Sequence, residues 1–370
     1  MLEHAFTGPQ FTVGIEEELM ILDPDGWDLA QAIDRLLAAV PDDTVGQVHP
    51  ELFQAVLEIA TKPCQNVREA GQELANLRRV VIAAAESEGL AIGAAATHPF
   101  ALASEQKTVD RDRYRELIDE LGFIALNEVI FGTHVHVAIA DPDRAIYVAD
   151  GIRRYLPLFL SLSVNSPFWQ GERTGLMSSR VPIFRQFPRE GIPPHYGTWE
   201  IYSHRVGQMI RAGAISDYTF MWWDVRTHAK LGTVETRIFD QQTRVEQTVS
   251  LAALNVCLAH RLCRLYDQGE PLVEYPTELI DDNKIRAARH GTDANLIDFR
   301  AGHQAKASEM AHELLELLAP DADELGCAAE LAGVEEIIQH GTGAQRQLEM
   351  WERTGDLREL TAEIAEHTKP

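Results

Sequence analysis

Basic residues are scarce in this chain, and cysteines scarcer. Lys and Arg together number 33 against 57 Asp and Glu, a formal charge of −24. Such a deficit repels phosphate backbones and anionic lipid, so neither a nucleic-acid nor a membrane partner is expected. The four cysteines, Cys64, Cys257, Cys263 and Cys327, form no C-x-x-C pair. They read as small buried hydrophobes of a reduced, cytoplasmic protein. No apolar run approaches the roughly 20 residues that span a bilayer. The opening MLEHAFTGPQ has no basic segment followed by an apolar one, so no signal peptide is expected. The chain also lacks G-x-x-x-x-G-K-S/T and any convincing G-x-G-x-x-G, so a nucleotide would not be held by a P-loop. There is no internal repeat and no low-complexity linker.

What remains is an ordinary globular balance, 45% hydrophobic and 24% charged, in 370 residues. That length supports one domain with a sizeable core. Its character changes near residue 245. Residues 1–244 mix strands, helices and Gly/Pro-rich loops; residues 245–370 are mainly helical. Strand patterns lie at 12–22, 90–96, 131–140 and 233–239. Helical patterns lie at 67–87, after Asp143 as a cap, and at 245–267, 303–318, 322–339 and 344–366. Strands and helices without regular βαβ alternation predict an α+β fold around a mainly antiparallel sheet. The long stretch 165–200, rich in Gly, Pro, Ser and aromatics, reads as a functional or mobile loop region.

The densest chemical signal is Gly14-Ile15-Glu16-Glu17-Glu18. In a strand, Glu16 and Glu18 share one face, and Glu17 joins Val13, Ile15, Leu19 and Ile21 on the other. Two adjacent carboxylates repel unless a cation lies between them, and hard oxygen ligands favour Mg²⁺. A solvated edge strand bearing acids is an equally good reading of that segment alone. In Phe131-Gly132-Thr133-His134-Val135-His136, the two histidines share a face, as metal ligands or phosphate donors. Glu235 and Arg237 share a face of the 233–239 strand, either as an ion pair or as a metal ligand beside a phosphate-binding cation. Glu58 is an acid in an apolar run, costly unless it meets a cation. Glu51 would join it on a helix but not on a regular strand. The loop from Asn165 through Ser179 and Arg180 suits binding of an anionic group. Trp222 and Trp223 read as core, while Arg226 belongs either to a buried ion pair or to a substrate wall.

Taken together, VGIEEEL, ELFQAVLEIATKP, THPF, FGTHVHVAI, LSVNSPFWQGERTGLMSSR, FPREGIPP, WWDVRTH, GTVETRIFD and GTGAQRQLEMWERTGDL resemble the glutamate–cysteine ligase type 2 family of carboxylate–amine ligases. The resemblance spans nearly the whole chain. It implies a glutamine synthetase-like catalytic fold, in which a curved, mainly antiparallel sheet flanked by helices holds Mg²⁺ between ATP and an amino acid. It implies ATP-dependent coupling of glutamate to cysteine through an acyl phosphate, and a homodimer. By the same resemblance Glu16, Glu18, Glu58, His134 and Glu235 would hold metal. Arg237 and Arg180 would be catalytic, and His136, Asn165, Ser179 and Arg226 would bind substrate or phosphate. Competing expectations are the same chemistry on another amine or carboxylate, a non-catalytic nucleotide- or amino-acid-binding relative, and a metal-dependent hydrolase.

Overall fold

Alternation along the first strand decides how the molecule is layered. The computed structural model describes residues 2–44 and 47–370. Its main sheet has seven strands: β1 Val13–Leu22, β2 Val48–Pro50, β3 Val56–Ala60, β4 Ala91–Gly93, β5 Gly132–Ala138, β6 Val225–His228 and β7 Thr233–Asp240. The order is β6-β7-β5-β1-β3-β2, with β4 also on β1, and every pairing is antiparallel. The fold class expected from the sequence is the one found: an α+β protein with an antiparallel sheet, flanking helices and a mainly helical C-terminal third.

One face of the sheet is apolar. Ile15, Leu19 and Ile21 of β1, Val135 and Val137 of β5, and Val234 and Ile238 of β7 are all buried. Each such side chain contributes about 2–3 kcal/mol by leaving water. Two long helices pack over this core, Val67–Ser87 and Val245–Asp267. The first starts where the Asn66 side chain accepts the Glu69 N–H, a satisfied N-cap. Its residues Val67, Ala70, Leu74, Leu77 and Val81 are buried at helical spacing. Glu17 shares the apolar face and is fully buried, because Arg78 of that helix reaches it with two bonds of 2.7 Å. Arg78 also donates to the carbonyls of Gln242, Thr243 and Thr368. The Thr248 hydroxyl adds a 2.7 Å bond to Glu17.

Several boundaries differ from the sequence expectation. The strand at 90–96 shortens to Ala91–Gly93, because the Ala94 N–H goes to the Thr368 hydroxyl and the Ala96 N–H to the Asn165 carbonyl. Asp141, not Asp143, caps the helix Pro142–Ile152; Asp143 instead accepts the Trp199 N–H at 2.7 Å. Residues His303–Lys306 are a strand paired with Asn295–Asp298 rather than the start of a helix. The helix Ala307–Leu325 runs through Pro320 and stops at Gly326, whose φ of +68° is the left-handed conformation glycine adopts without strain. A helix at Thr277–His290 is additional to those read from the sequence. All four cysteines are free and buried. No helix among the described residues is long and apolar enough to cross a membrane.

Candidate active site

The other face of the sheet carries charge, and strand register assembles it. Glu16 of β1 lies opposite His134 of β5, and Glu18 lies opposite Glu58 of β3. On the far side, His136 lies opposite Glu235 of β7, and Glu235 opposite Arg226 of β6. Five strands therefore deliver seven polar side chains to one surface, with the side-chain period of two doing the sorting. The β5–β7 pairing slips by one residue between Thr236 and Phe239. This bulge spans Arg237, whose N–H leaves the ladder to bond the Asp224 carbonyl at 2.8 Å.

Above this surface lies a cavity of about 270 Å³. Its acids are Glu16, Glu18, Glu51, Glu58 and Glu128, and its cations Arg113, Arg180, Arg226 and Arg237. His134 reaches it too, and Phe184, Phe187, Phe220 and Trp222 give it an aromatic wall. Glu51 joins from the irregular link just after β2, so neither alternative left open by the sequence holds: neither a helix nor a strand presents it. Glu235 and His136 sit beside the wall without lining it. Asn165 and Ser179 do not reach the cavity. The Asn165 amide donates to Gln241 and Thr243, its oxygen accepts from Gln347, and Ser179 bonds Thr174. The two ends of the stretch, 165–168 and 178–180, are buried and tied down by Asp240, which accepts from the Asn165 N–H and from the hydroxyls of Ser166 and Ser178, while residues 171–173 between them are exposed.

Electrostatics divide the acids in two. Burial would raise the pKa of Glu235, but the charges of Arg226 and Arg237 overcome it and hold the carboxyl well below its usual range. Arg226 contributes two bonds, of 2.6 and 3.2 Å, and Arg237 bonds the same carboxylate. Glu16 is likewise held low against burial, by His136 and then by its bond with His134. The others go up. Glu58 is pushed well above its usual range by burial and by Glu16, Glu51 and Glu18. Glu51 is pushed to about 7 by burial and Glu18. Burial also raises Glu18, although Arg180, Arg237 and the Gly132 N–H oppose it. His134 is depressed to about 4 by burial and Arg237. His136 is raised, the acids Glu16 and Glu235 outweighing burial.

Carboxyl groups pushed up for want of a counter-charge form the donor set a hard cation would complete. Three groups of ligand atoms each lie within 4.8 Å of one another: Glu16–His136–Glu235, Glu16–Glu58–His134, and Glu18–Glu51–Glu58. The Nε2 of His136 is buried and has no aligned hydrogen-bond partner, though Glu16 Oε1 stands 3.2 Å away. The clustered carboxylate oxygens, with Glu51 and Glu58 short of counter-charge, are the hard donor set that such a cation takes. These residues therefore fit Mg²⁺.

Sequence reasoning did not single out Glu128, Arg113 or Tyr114. Glu128 stands alone in Val-Ile-Phe surroundings, a signal like that of Glu58. Arg113 and Tyr114 sit on a polar helix, Asp112–Leu121, whose sequence carries no motif.

Comparison with known proteins bears on the family and the fold. A family model described as glutamate–cysteine ligase family 2 matches residues 12–363. A Rubrobacter xylanophilus protein provisionally named glutamate–cysteine ligase 2-1 is 42% identical over 360 residues, 97% of this chain and 95% of its own. A Solibacter usitatus protein, provisionally named glutamate–cysteine ligase 2, is 38% identical over 362 residues, 98% of this chain and 94% of its own. Among solved structures, glutamate–cysteine ligase from Francisella tularensis in complex with AMP superposes with a TM-score of 0.74 at 14% identity, covering 98% of this chain and 89% of that one. The bifunctional glutathione synthetase of Pasteurella multocida gives 0.68 at 17% identity, covering 97% of this chain and 51% of that one.

Proposed function

Because the chain belongs to glutamate–cysteine ligase family 2, we propose that it is an ATP-dependent carboxylate–amine ligase that joins the side-chain carboxylate of glutamate to the amino group of cysteine. The observation that carries this reading is the register that brings Glu16, Glu18, Glu58, His134, His136 and Glu235 to one sheet face beside Arg237.

A carboxylate is a poor electrophile, and ATP supplies a leaving group. A glutamate side-chain oxygen attacks the γ-phosphorus, the bond to ADP breaks, and an acyl phosphate forms. The amine nitrogen then attacks the acyl carbon, phosphate leaves, and the nitrogen loses a proton. Glu16, Glu18, Glu58, His134 and Glu235, with His136 and Glu51 adjacent, would hold Mg²⁺. When bound, the metal supplies positive charge to neutralise the phosphate oxygens. Arg237 is fixed by Glu235 and by contact with His134 at 3.4 Å. Its planar cation is thus set, before substrate arrives, where a transferring phosphoryl group gathers charge. Arg180 is 4% exposed and bonds the Ile238 and Arg237 carbonyls. It faces the cavity as a contact for phosphate or substrate carboxylate. Arg226 anchors Glu235 and ties down the carbonyls of Thr219 and Met221. Asn165 and Ser179 shape the loop that carries Arg180. On this reading residues 1–244 form the catalytic part, 245–370 support it, and the working protein is a cytoplasmic homodimer. A monomer by light scattering would refute the last point.

The test is ADP release with Mg²⁺, ATP and glutamate, with and without cysteine and then with other amines. Release that needs both amino acids, with γ-glutamylcysteine found by mass spectrometry, is the expected result. Release that requires a different amine keeps the chemistry and replaces cysteine. Intact ATP turnover in Glu16→Ala or Glu235→Ala would refute the metal assignment.

A further inference from the structure

Glu128 is the one acid on the cavity wall that stands outside all three metal-capable groups among the described residues. It lies in the short link between the helix Phe123–Leu126 and β5. Its carboxylate makes no hydrogen bond or ion pair with any described residue. Burial pushes it well above the usual carboxyl range, Glu18 and Glu51 add to that, and Arg180 and Arg237 oppose it. Arg237 is already engaged by Glu235. Arg180 is not engaged to the same degree: it donates to two backbone carbonyls, Asp240 stands off at 4.0 Å, and its buried Nε has no partner. Gly132 leaves room for this guanidinium, since a Cβ there would lie 3.0 Å from Arg180 Cζ.

One wall of the cavity thus presents a partnerless carboxylate and an under-used guanidinium. An amino acid head group carries the complementary pair, an ammonium and a carboxylate on one carbon. Resting on the ligase reading above, we propose that Glu128 receives the α-ammonium of the glutamate substrate while Arg180 receives its α-carboxylate. The cysteine amine is the poorer occupant. It must attack as the free base, and a carboxylate that held it as ammonium would stabilise the unreactive form. The α-ammonium of glutamate keeps its charge throughout, so an acid can grip it at every step. The site then selects amino acids over plain dicarboxylates, because an ion left unpaired in a dry cavity is costly.

The experiment compares glutamate with glutarate, which lacks only the amino group, in wild type and Glu128→Gln. Wild type is expected to prefer glutamate strongly. Glu128→Gln is expected to erode that preference by about 30-fold or more, through KM for glutamate. The constants for ATP and Mg²⁺ should stay within about twofold. Glu128→Asp, which keeps the charge on a shorter arm, should fall between. An unchanged glutamate-to-glutarate ratio in Glu128→Gln overturns the proposal. So does a raised Mg²⁺ requirement with the preference intact, which would place Glu128 among the metal-holding acids. Calorimetric binding of glutamate and glutarate to wild type and both variants measures the same preference without turnover. If wild type releases no ADP with glutamate and any amine, the ligase reading fails by itself, and binding alone decides Glu128.

Discussion

Replacing Glu17 by Gln leaves the Arg78 guanidinium fully buried opposite a neutral amide. The pair is inaccessible on both sides and joined by two 2.7 Å bonds. Removing one partner of such a pair strands a charge in low dielectric, which costs about 3–5 kcal/mol. With an unfolding entropy near 2.1 cal/mol/K per residue, 370 residues give about 0.8 kcal/mol/K, so a loss of about 4 kcal/mol lowers Tm by about 5 °C. Adding Arg78→Met removes the stranded charge, and a simple ion-pair picture would then expect near-complete recovery. The structure expects less, because Arg78 also satisfies the carbonyls of Gln242, Thr243 and Thr368. Orphaned buried acceptors cost about 1–3 kcal/mol each when no water reaches them. Urea unfolding of wild type, both single variants and the double variant closes the cycle. A Glu17→Gln cost below about 1 kcal/mol would refute the reasoning, and a double variant as stable as wild type would refute the carbonyl argument.

Three further outcomes follow from the geometry. Glu235→Gln releases Arg226 and Arg237 together, so kcat for ADP release should fall on the order of 100-fold to 1000-fold with the fold intact by circular dichroism. Gly132→Ala pushes a methyl into the Arg180 guanidinium, and kcat/KM should drop by up to about 100-fold, measured against an unchanged melting temperature. His98 is 1% exposed, accepts the Ala101 N–H and bonds the Trp27 carbonyl, and burial depresses it from 6.5 to about 4. The unfolded chain therefore binds the extra proton. Stability is whole above pH 6.5 and falls as pH drops toward 4, by roughly 3 kcal/mol; His98→Asn should flatten that slope in denaturant titrations at several pH values.

Much of the sheet and its charged face was legible because both depend on alternation. Once Val13–Leu22 is read as a strand, Glu16 and Glu18 must share a face, and the same holds for His134 and His136. What alternation cannot supply is the partner across space. Glu17 could be placed on the apolar side, but Arg78, 61 residues later, gives no sign in its helix that it is buried. Glu51 depended on an irregular link after β2 whose shape is set by tertiary contacts. The Asn165–Ser179 stretch has the composition of an anion-binding loop, yet its polar groups are used internally by Asp240, Gln241 and Gln347. Single charged residues such as Glu128 and Arg113 have no periodic neighbours, so only the cavity reveals them.

The contacts of Arg78 also bear on the order in which the chain can be completed during synthesis. Its acceptors lie at residues 17, 242, 243 and 368. Until the helix Leu357–Thr368 has been synthesised, the guanidinium has no carbonyl at position 368 to meet. The Thr368 hydroxyl, which takes the Ala94 N–H beside β4, is missing as well. A nascent chain can form its local helices early, but the layer between sheet and helices closes only when residues nearly 300 positions apart are both outside the tunnel. Native-like protection of β1 in stalled chains should therefore appear late and abruptly, rather than growing with length.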